Sequence, residues 1–386
     1  MLRAFAVAFG ACLFAACATQ PSHPSQQPRA EHYRLVAYVV GREPLPRIDA
    51  EKLTAINYAF AHIGGGRIVL DAPDAAANLA SLRALKARNP QLKVLVSVGG
   101  WGAEGFSDAA ADAQARARFA QSAVDLIAAT AVDGIDLDWE YPGLPGPGLV
   151  HRSEDERNFT LLLRELRERF DAFTHEYPGG SGPRSSSERV LLTAALADRE
   201  FVAHIELGRI HPYLDWINLM TYDFHNSLTP TTGHHAALAR SSTSAPDERS
   251  VEHAVEQFLA AGVPARKLVV GVPFYGRAFA DVRPQNRGLD QPYGRYDREF
   301  TWPELVAGLI DRNGYVRYWD EAAHVPYLWN AQTHAFVSYD DPRSLALKAD
   351  FVRAHRLGGM MYWEQSQDPV GELLGVLAAR LRDTAH

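Results

Sequence analysis

The 386-residue sequence predicts an α/β fold: a (β/α)8 TIM barrel with a small α+β insertion between strands seven and eight. Eight apolar runs of strand length alternate with amphipathic stretches of helical period. Most of these runs are continuous rather than alternating, the pattern of parallel strands covered on both faces. About 80 residues separate the last two runs, where a simple βαβ unit needs about 30. A doubly wound open sheet is the structural alternative. It fits less well, because no Gly-rich phosphate turn follows the first run.

The elements follow in chain order. Arg3 precedes an apolar stretch over residues 4–16, shorter than the ~20 residues that span a bilayer, so residues 1–17 read as a signal peptide. Residues 18–32, rich in Ser, Pro and Gln, read as a flexible tether. The barrel is then expected over 33–386. Its strands are predicted at 35–40, 55–62, 93–98, 134–140, 190–196, 216–222, 268–274 and 359–363. Helical patterns fall at 72–87, 109–131, 154–176, 250–261 and 342–355, with a weaker one at 200–211 and a closing one at 370–382. A Gly/Ser/Pro-rich loop at 178–188 precedes strand five. Residues 278–336, with aromatic and strand-like pieces such as 315–319, form the expected insertion.

Composition narrows the partners. Hydrophobic residues make up 47% and charged residues 22%, as in an ordinary globular protein, and the net charge is −7. No long basic run occurs, which argues against nucleic acid or an anionic membrane surface as the main partner. A neutral polysaccharide requires neither sign of charge. Cys12 and Cys17 are the only cysteines; once a signal peptide is removed, the folded domain contains no disulfide and must depend on its packed core.

The most informative segment is Asp133-Gly134-Ile135-Asp136-Leu137-Asp138-Trp139-Glu140-Tyr141-Pro142. Alternate side chains of a strand share a face, about 6.6 Å apart at Cα. Asp136, Asp138 and Glu140 therefore point one way, and Ile135, Leu137 and Trp139 the other. In a barrel the apolar trio packs under the helices while the carboxylates climb the interior, with Glu140 at the C-terminal end where barrel enzymes do their chemistry. Three carboxylates in a poorly solvated bore cannot all stay ionised cheaply, so they share protons. A proton held at the top of such a column suits a general acid near neutral pH. An exposed acidic strand face and a divalent-metal site are the competing readings. No nearby His or Asn supplies further ligands, so no metal and no cofactor is expected.

At this segment the sequence resembles glycoside hydrolase family 18, the chitinases and their relatives, whose D-x-x-D-x-D-x-E signature is matched by Asp133, Asp136, Asp138 and Glu140. The resemblance implies that Glu140 protonates the glycosidic oxygen. Asp138 would orient the substrate's acetamido group as its carbonyl oxygen attacks the anomeric carbon, and Asp136 would hold Asp138 and exchange a proton with it. This substrate-assisted route departs from the two-carboxylate rule for retaining glycosidases and needs no protein nucleophile.

Other motifs extend the resemblance over nearly the whole chain from Leu35 to Arg382. Ser97-Val98-Gly99-Gly100-Trp101 is similar to the family's S-x-G-G signature, although Gly-Gly after a strand is by itself only a turn. Physically, these small residues leave room beside the acidic strand, and Ser97 can hydrogen-bond one carboxylate. Asn218-Leu219-Met220-Thr221-Tyr222-Asp223 implies a Tyr222 hydroxyl on the acetamido group, with Met220 and Asp223 lining the same pocket. Read without the family, Met220 is core and Tyr222 a barrel-mouth residue. In Gly358-Gly359-Met360-Met361-Tyr362-Trp363-Glu364 the resemblance makes Trp363 the floor on which a sugar stacks, against the alternative of a core tryptophan. Tyr38, Phe60, Trp101, Tyr141, Tyr275 and Arg277 sit near strand ends as candidate groove residues. His234 and His235 lie in a loop without ligand spacing and read as surface residues.

The implied activity is retaining hydrolysis of β-1,4-linked N-acetylglucosamine, in chitin or chito-oligosaccharides. Its rivals are a non-catalytic glycan-binding protein on the same fold and a hydrolase of peptidoglycan or the N-glycan core. Leu13-Phe14-Ala15-Ala16-Cys17 resembles a bacterial lipoprotein signal with Cys17 as lipid acceptor; an ordinary signal peptide with an incidental cysteine is the other reading. Ala18 after the cysteine, rather than Asp, implies an outer-membrane lipoprotein, with membrane contact only through the lipid; a periplasmic or secreted protein is the alternative.

Overall fold

The computed structural model describes Met1 and residues 33–146, 149–176 and 189–382. The expected signal segment, the tether, Cys17 and the 178–188 loop thus lie outside the described residues, Met1 excepted. Parallel strands β1 (Arg34–Val40), β2 (Ala55–Gly64), β4 (Lys93–Gly99), β5 (Gly134–Asp138), β6 (Leu191–Leu196), β7 (Trp216–Leu219), β8 (Leu268–Pro273) and β14 (Gly359–Trp363) form a barrel. It closes because β1 pairs with β14 on one side and β2 on the other. A short strand β3 (Arg67–Val69), not foreseen from the sequence, folds back antiparallel on the end of β2.

The strands are apolar on both faces, yet the two faces serve different cores. Leu35, Ala37 and Val39 of β1 belong to the outer layer between strands and helices. Val36 and Tyr38 join Ala55, Ala59, Leu95, Val269 and Met361 in the bore. Period-two geometry therefore sorts residues even where hydropathy does not alternate.

The outer helices fall where apolar spacing placed them, as Ala75–Ala84, Asp155–Glu176, Val251–Ala260, Pro342–Ala354 and Glu372–Leu381. The continuous helix expected at 109–131 is instead two, Phe106–Ala110 and Ala113–Thr130. Asp112 causes the break: its side chain accepts the Ala115 N–H at 2.8 Å and caps the second helix. The weak 200–211 pattern resolves into a 3-10 turn, Arg199–Val202, and one short helical turn, Leu207–Ile210.

The insertion is wider at both ends than 278–336. Strand β9 (Tyr275–Ala280) starts one residue after β8 and pairs with β10 (Arg295–Thr301) and β13 (Ala335–Ser338). With β11 (Val316–Asp320) and β12 (Val325–Asn330) they make a five-stranded antiparallel sheet, order β10-β9-β13-β12-β11. Its own core is aromatic: Phe279, Tyr327, Trp329 and Phe336.

Strands β5 and β7 stop two and three residues earlier than predicted, and β8 one. Pairing of β5 runs out at Asp138, opposite Gly99, and that of β7 at Leu219, opposite Leu196 and Val270. Beyond these points only the Met220 N–H bond to the Leu196 carbonyl, 2.8 Å, continues the β6–β7 pairing. Those released segments, 139–141 and 220–223, carry candidate site residues at the barrel mouth.

Candidate active site

Asp133 separates from the other acids of its motif. It precedes β5 on the outward parity and is buried, where Oδ2 accepts the Val94 N–H at 2.7 Å and Oδ1 accepts Lys86 Nζ at 2.8 Å. Its work is to fasten the start of the strand.

Asp136 points into the bore and gathers four donors. Oδ2 accepts the Tyr38 and Ser97 hydroxyls, each at 2.8 Å; Oδ1 accepts Thr193 Oγ1 at 2.5 Å and Asn218 Nδ2 at 3.1 Å. Asn218 is itself aimed by Trp216, whose indole N–H donates to Asn218 Oδ1 at 3.0 Å. Burial raises the Asp136 carboxyl pKa, and the four donors work against that rise. Strand register creates the cluster: Ser97 and Thr193 are the cross-strand partners of Asp136 on β4 and β6.

Asp138 stands next on the same face and has the opposite character. It is buried, and its Oδ1 meets no hydrogen-bond partner among the described residues. Burial, then the charges of Glu140 and Asp136, hold its carboxyl well above the ordinary range. Gly99 and Gly100 supply the room. A Cβ on Gly99 would lie 2.1 Å from the Asp138 carbonyl oxygen, and one on Gly100 2.7 Å from Phe60 Cε2; both have left-handed φ, 118° and 95°.

Glu140 lies just beyond the strand, partly buried at the mouth. Burial pushes its carboxyl up to about 7, with the charge of Asp223 adding and the adjacent Tyr141 pulling back. Such a group holds its proton near neutral pH.

Around this column the released segments and β14 make a pocket. Trp363 belongs to the bore cluster together with Tyr38, Phe60, Met220 and Tyr222. Phe60 stacks on it with centroids 5.7 Å apart at 23°, and Tyr38 tilts against it at 5.7 Å. Tyr222 is nearly buried; burial, then the charge of Asp138, raise its phenol far above the usual value, so it stays a neutral donor. Asp223, with φ 60°, turns to meet the insertion. It accepts Tyr275 Oη at 2.6 Å and a two-pronged grip from Arg277, Nε at 2.5 Å and Nη2 at 2.6 Å. Burial works to raise its carboxyl, but His235 and Arg277 outweigh burial and hold it below the usual range. Tyr141 packs on Phe201 at 4.6 Å, and Trp101, 69% exposed, stands 6.3 Å from Tyr141.

Several candidates sit elsewhere than the sequence suggested. Tyr38, expected in the groove, is buried with its hydroxyl on Asp136. Tyr275 and Arg277 face the pocket as the clamp on Asp223. His234 and His235, expected on the surface, are both buried: His234 Nε2 contacts Asp320 Oδ2 at 3.1 Å, which ties its loop to the insertion. Thr193, Trp216 and Asn218 were missed altogether. A signal existed for two of them, because Thr193 and Asn218 are polar residues inside apolar runs of barrel strands.

The model of glycosyl hydrolases family 18 matches residues 34–368. Chitinase A1 of Niallia circulans is 36% identical, the match covering 93% of this chain and 60% of that protein. Chitotriosidase-1 of Mus musculus is 35% identical over 82% of this chain and 67% of its own. A solved family 18 N-acetylglucosaminidase from Paenibacillus barengoltzii superposes with a TM-score of 0.83 at 39% identity, covering 90% of this chain and 99% of that one. The chain thus spans about three fifths of the length of the Niallia relative. Sequence and fold agree from the first barrel strand to beyond the last: the chain belongs to glycosyl hydrolases family 18.

Proposed function

We propose that this protein is a chitinase that cleaves β-1,4 bonds between N-acetylglucosamine units with retention, using the substrate's own acetamido group as nucleophile. The observation that carries this reading is the contrast between neighbouring acids. Asp136 is saturated with donors, whereas Asp138 keeps a buried oxygen with no partner among the described residues, beside a Glu140 that holds a proton to about 7. A buried acceptor left unpaired is costly unless a ligand completes it. An acetamido N–H supplies that donor.

Glu140 gives its proton to the glycosidic oxygen as the bond to the anomeric carbon breaks. The acetamido carbonyl oxygen forms the new bond to that carbon, and Asp138 stabilises the positive charge that develops on the amide nitrogen. Asp136 takes a share of the Asp138 proton in the free enzyme and leaves Asp138 to face the substrate. Water then attacks the anomeric carbon from the vacated side, returns its proton to Glu140 and restores the acetamido group. Tyr222 donates to the acetamido oxygen. Trp363 is the stacking floor, with Met220 and Asp223 lining the pocket and Phe60, Tyr141 and Trp101 along the groove.

Glu140→Gln tests the assignment. Chromogenic chito-oligosaccharide turnover should vanish while oligosaccharide binding and cooperative folding persist; turnover retained in this variant overturns it. Rapid hydrolysis of glycans without an acetamido group at the cleaved unit overturns the substrate-assisted route. Mass spectrometry of products from chitin oligomers, peptidoglycan and a glycoprotein identifies the polymer, with chitin oligomers expected to be cleaved fastest. We place the mature protein outside the cytoplasm, anchored to the outer membrane by lipid on Cys17. Cys17→Ser should then release it from the membrane fraction.

A further inference from the structure

His235 is a buried polar side chain that the reaction above does not use. Its exposure is 0%, and neither ring nitrogen has a hydrogen-bond partner among the described residues. Its position is nevertheless well defined. Its backbone N–H donates to Ser338 Oγ at 2.9 Å, and its carbonyl accepts the Phe224 N–H at 3.1 Å. The ring stands edge-on to Tyr275, centroids 5.4 Å apart at 61°.

A neutral imidazole carries one donor and one acceptor. Nδ1 lies 3.6 Å from Asp223 Oδ1, about half an ångström beyond hydrogen-bond range. The other titratable and charged groups facing the ring are Tyr275 and Arg277 on β9, both bonded to Asp223, and Asp340 after β13, itself paired with Lys348. Tyr275 Oη and Arg277 Nε donate to Asp223 Oδ1, the same oxygen that His235 Nδ1 approaches. The charge of Asp223 acts on Glu140 and helps to raise its carboxyl.

We propose that His235 is a positioning residue for the hydrolysis: its imidazole, with Nδ1 turned to Asp223 Oδ1 across 3.6 Å, offsets part of the Asp223 charge and so sets how much negative charge Glu140 meets. The inference rests on the role given to Glu140 above. Its sign follows from electrostatics. An N–H pointed at Asp223 offsets part of its negative charge, so its removal makes Glu140 hold its proton to higher pH. The groups facing Glu140 that stay unchanged in such a variant are Asp138, Asp136, Tyr141 and Tyr222.

The test compares His235→Ala with His235→Asn, whose amide can donate from the place of Nδ1. In kcat/KM–pH profiles on a chromogenic chito-oligosaccharide, His235→Ala should move the basic limb up by roughly 0.3–0.5 pH units. His235→Asn should restore it. A carboxyl 13C titration of Glu140, assigned by its loss in Glu140→Gln, reads the same displacement without turnover. Failure of hydrolysis and failure of this role are thereby separate outcomes. A Glu140 titration that coincides in wild type and His235→Ala, or one that moves equally in His235→Asn, overturns the proposal, whatever happens to the melting temperature.

Discussion

Phe106 lies flat against Trp139, with ring centroids 5.2 Å apart and 7° between the planes. Phe159 meets the same indole edge-on at 5.7 Å, so the residue just before Glu140 is pinned from outside the barrel. That pairing turns Trp139 outward and Glu140 toward the bore. Trp139→Ala removes a buried ring on which the helices rest and should cost about 3–5 kcal/mol of stability. Urea unfolding gives the value; a loss under about 1 kcal/mol would mean the ring does not hold the strand end.

The raised Glu140 carboxyl has a consequence for pH. Its folded value of about 7 exceeds its ordinary 4.5, so the folded state binds the proton more tightly than the unfolded chain. Stability from this group is full below 4.5 and is lost as pH rises toward 7. Glutamine stays neutral throughout. Glu140→Gln should match the wild type at pH 4 and exceed it by up to about 3 kcal/mol at pH 8, read as a melting-temperature gap that widens with pH. In the wild type, kcat/KM should fall about tenfold per pH unit above the same value, as the acid loses its proton.

Thr193→Val deletes one donor to Asp136 without changing the side chain's shape. A hydrogen bond to a buried carboxylate contributes about 1.5–3 kcal/mol, so kcat/KM should fall roughly ten- to hundredfold. The acid limb of the profile should move to higher pH, because Asp136 then competes better with Asp138 for their proton. Steady-state kinetics between pH 4 and 8 checks both effects. An unchanged acid limb would remove Thr193 from the proton balance.

Gly271 sits on β8 beneath Tyr222. A Cβ there would lie 2.2 Å from the Leu219 carbonyl oxygen, 2.6 Å from Met361 Cε and 2.9 Å from Tyr222 Cε1. The side chains can shift but the carbonyl cannot. Gly271→Ala should cost about 1–3 kcal/mol by overpacking and raise KM more than it lowers kcat, since Tyr222 is the group displaced. Kinetics on a chito-oligosaccharide separates the two parameters.

What could be read from the chain alone was local and periodic. Residues two apart on a strand share a face whatever the partners are, so the spacing of Asp136, Asp138 and Glu140 already aligned three acids, and the long alternation of runs already implied a barrel. Who stands across the bore is not a local property. It depends on the stagger of eight strands and on the β1–β2 pairing that closes the ring. Closure brought Tyr38, Ser97, Thr193 and Asn218 from four different strands onto one carboxylate and left Asp138 Oδ1 without a partner among the described residues. It also set the clamp on Asp223 and buried His235 beside it. Hydrogen-bond partners tens of residues apart leave no period in a sequence, and only packing in three dimensions selects them.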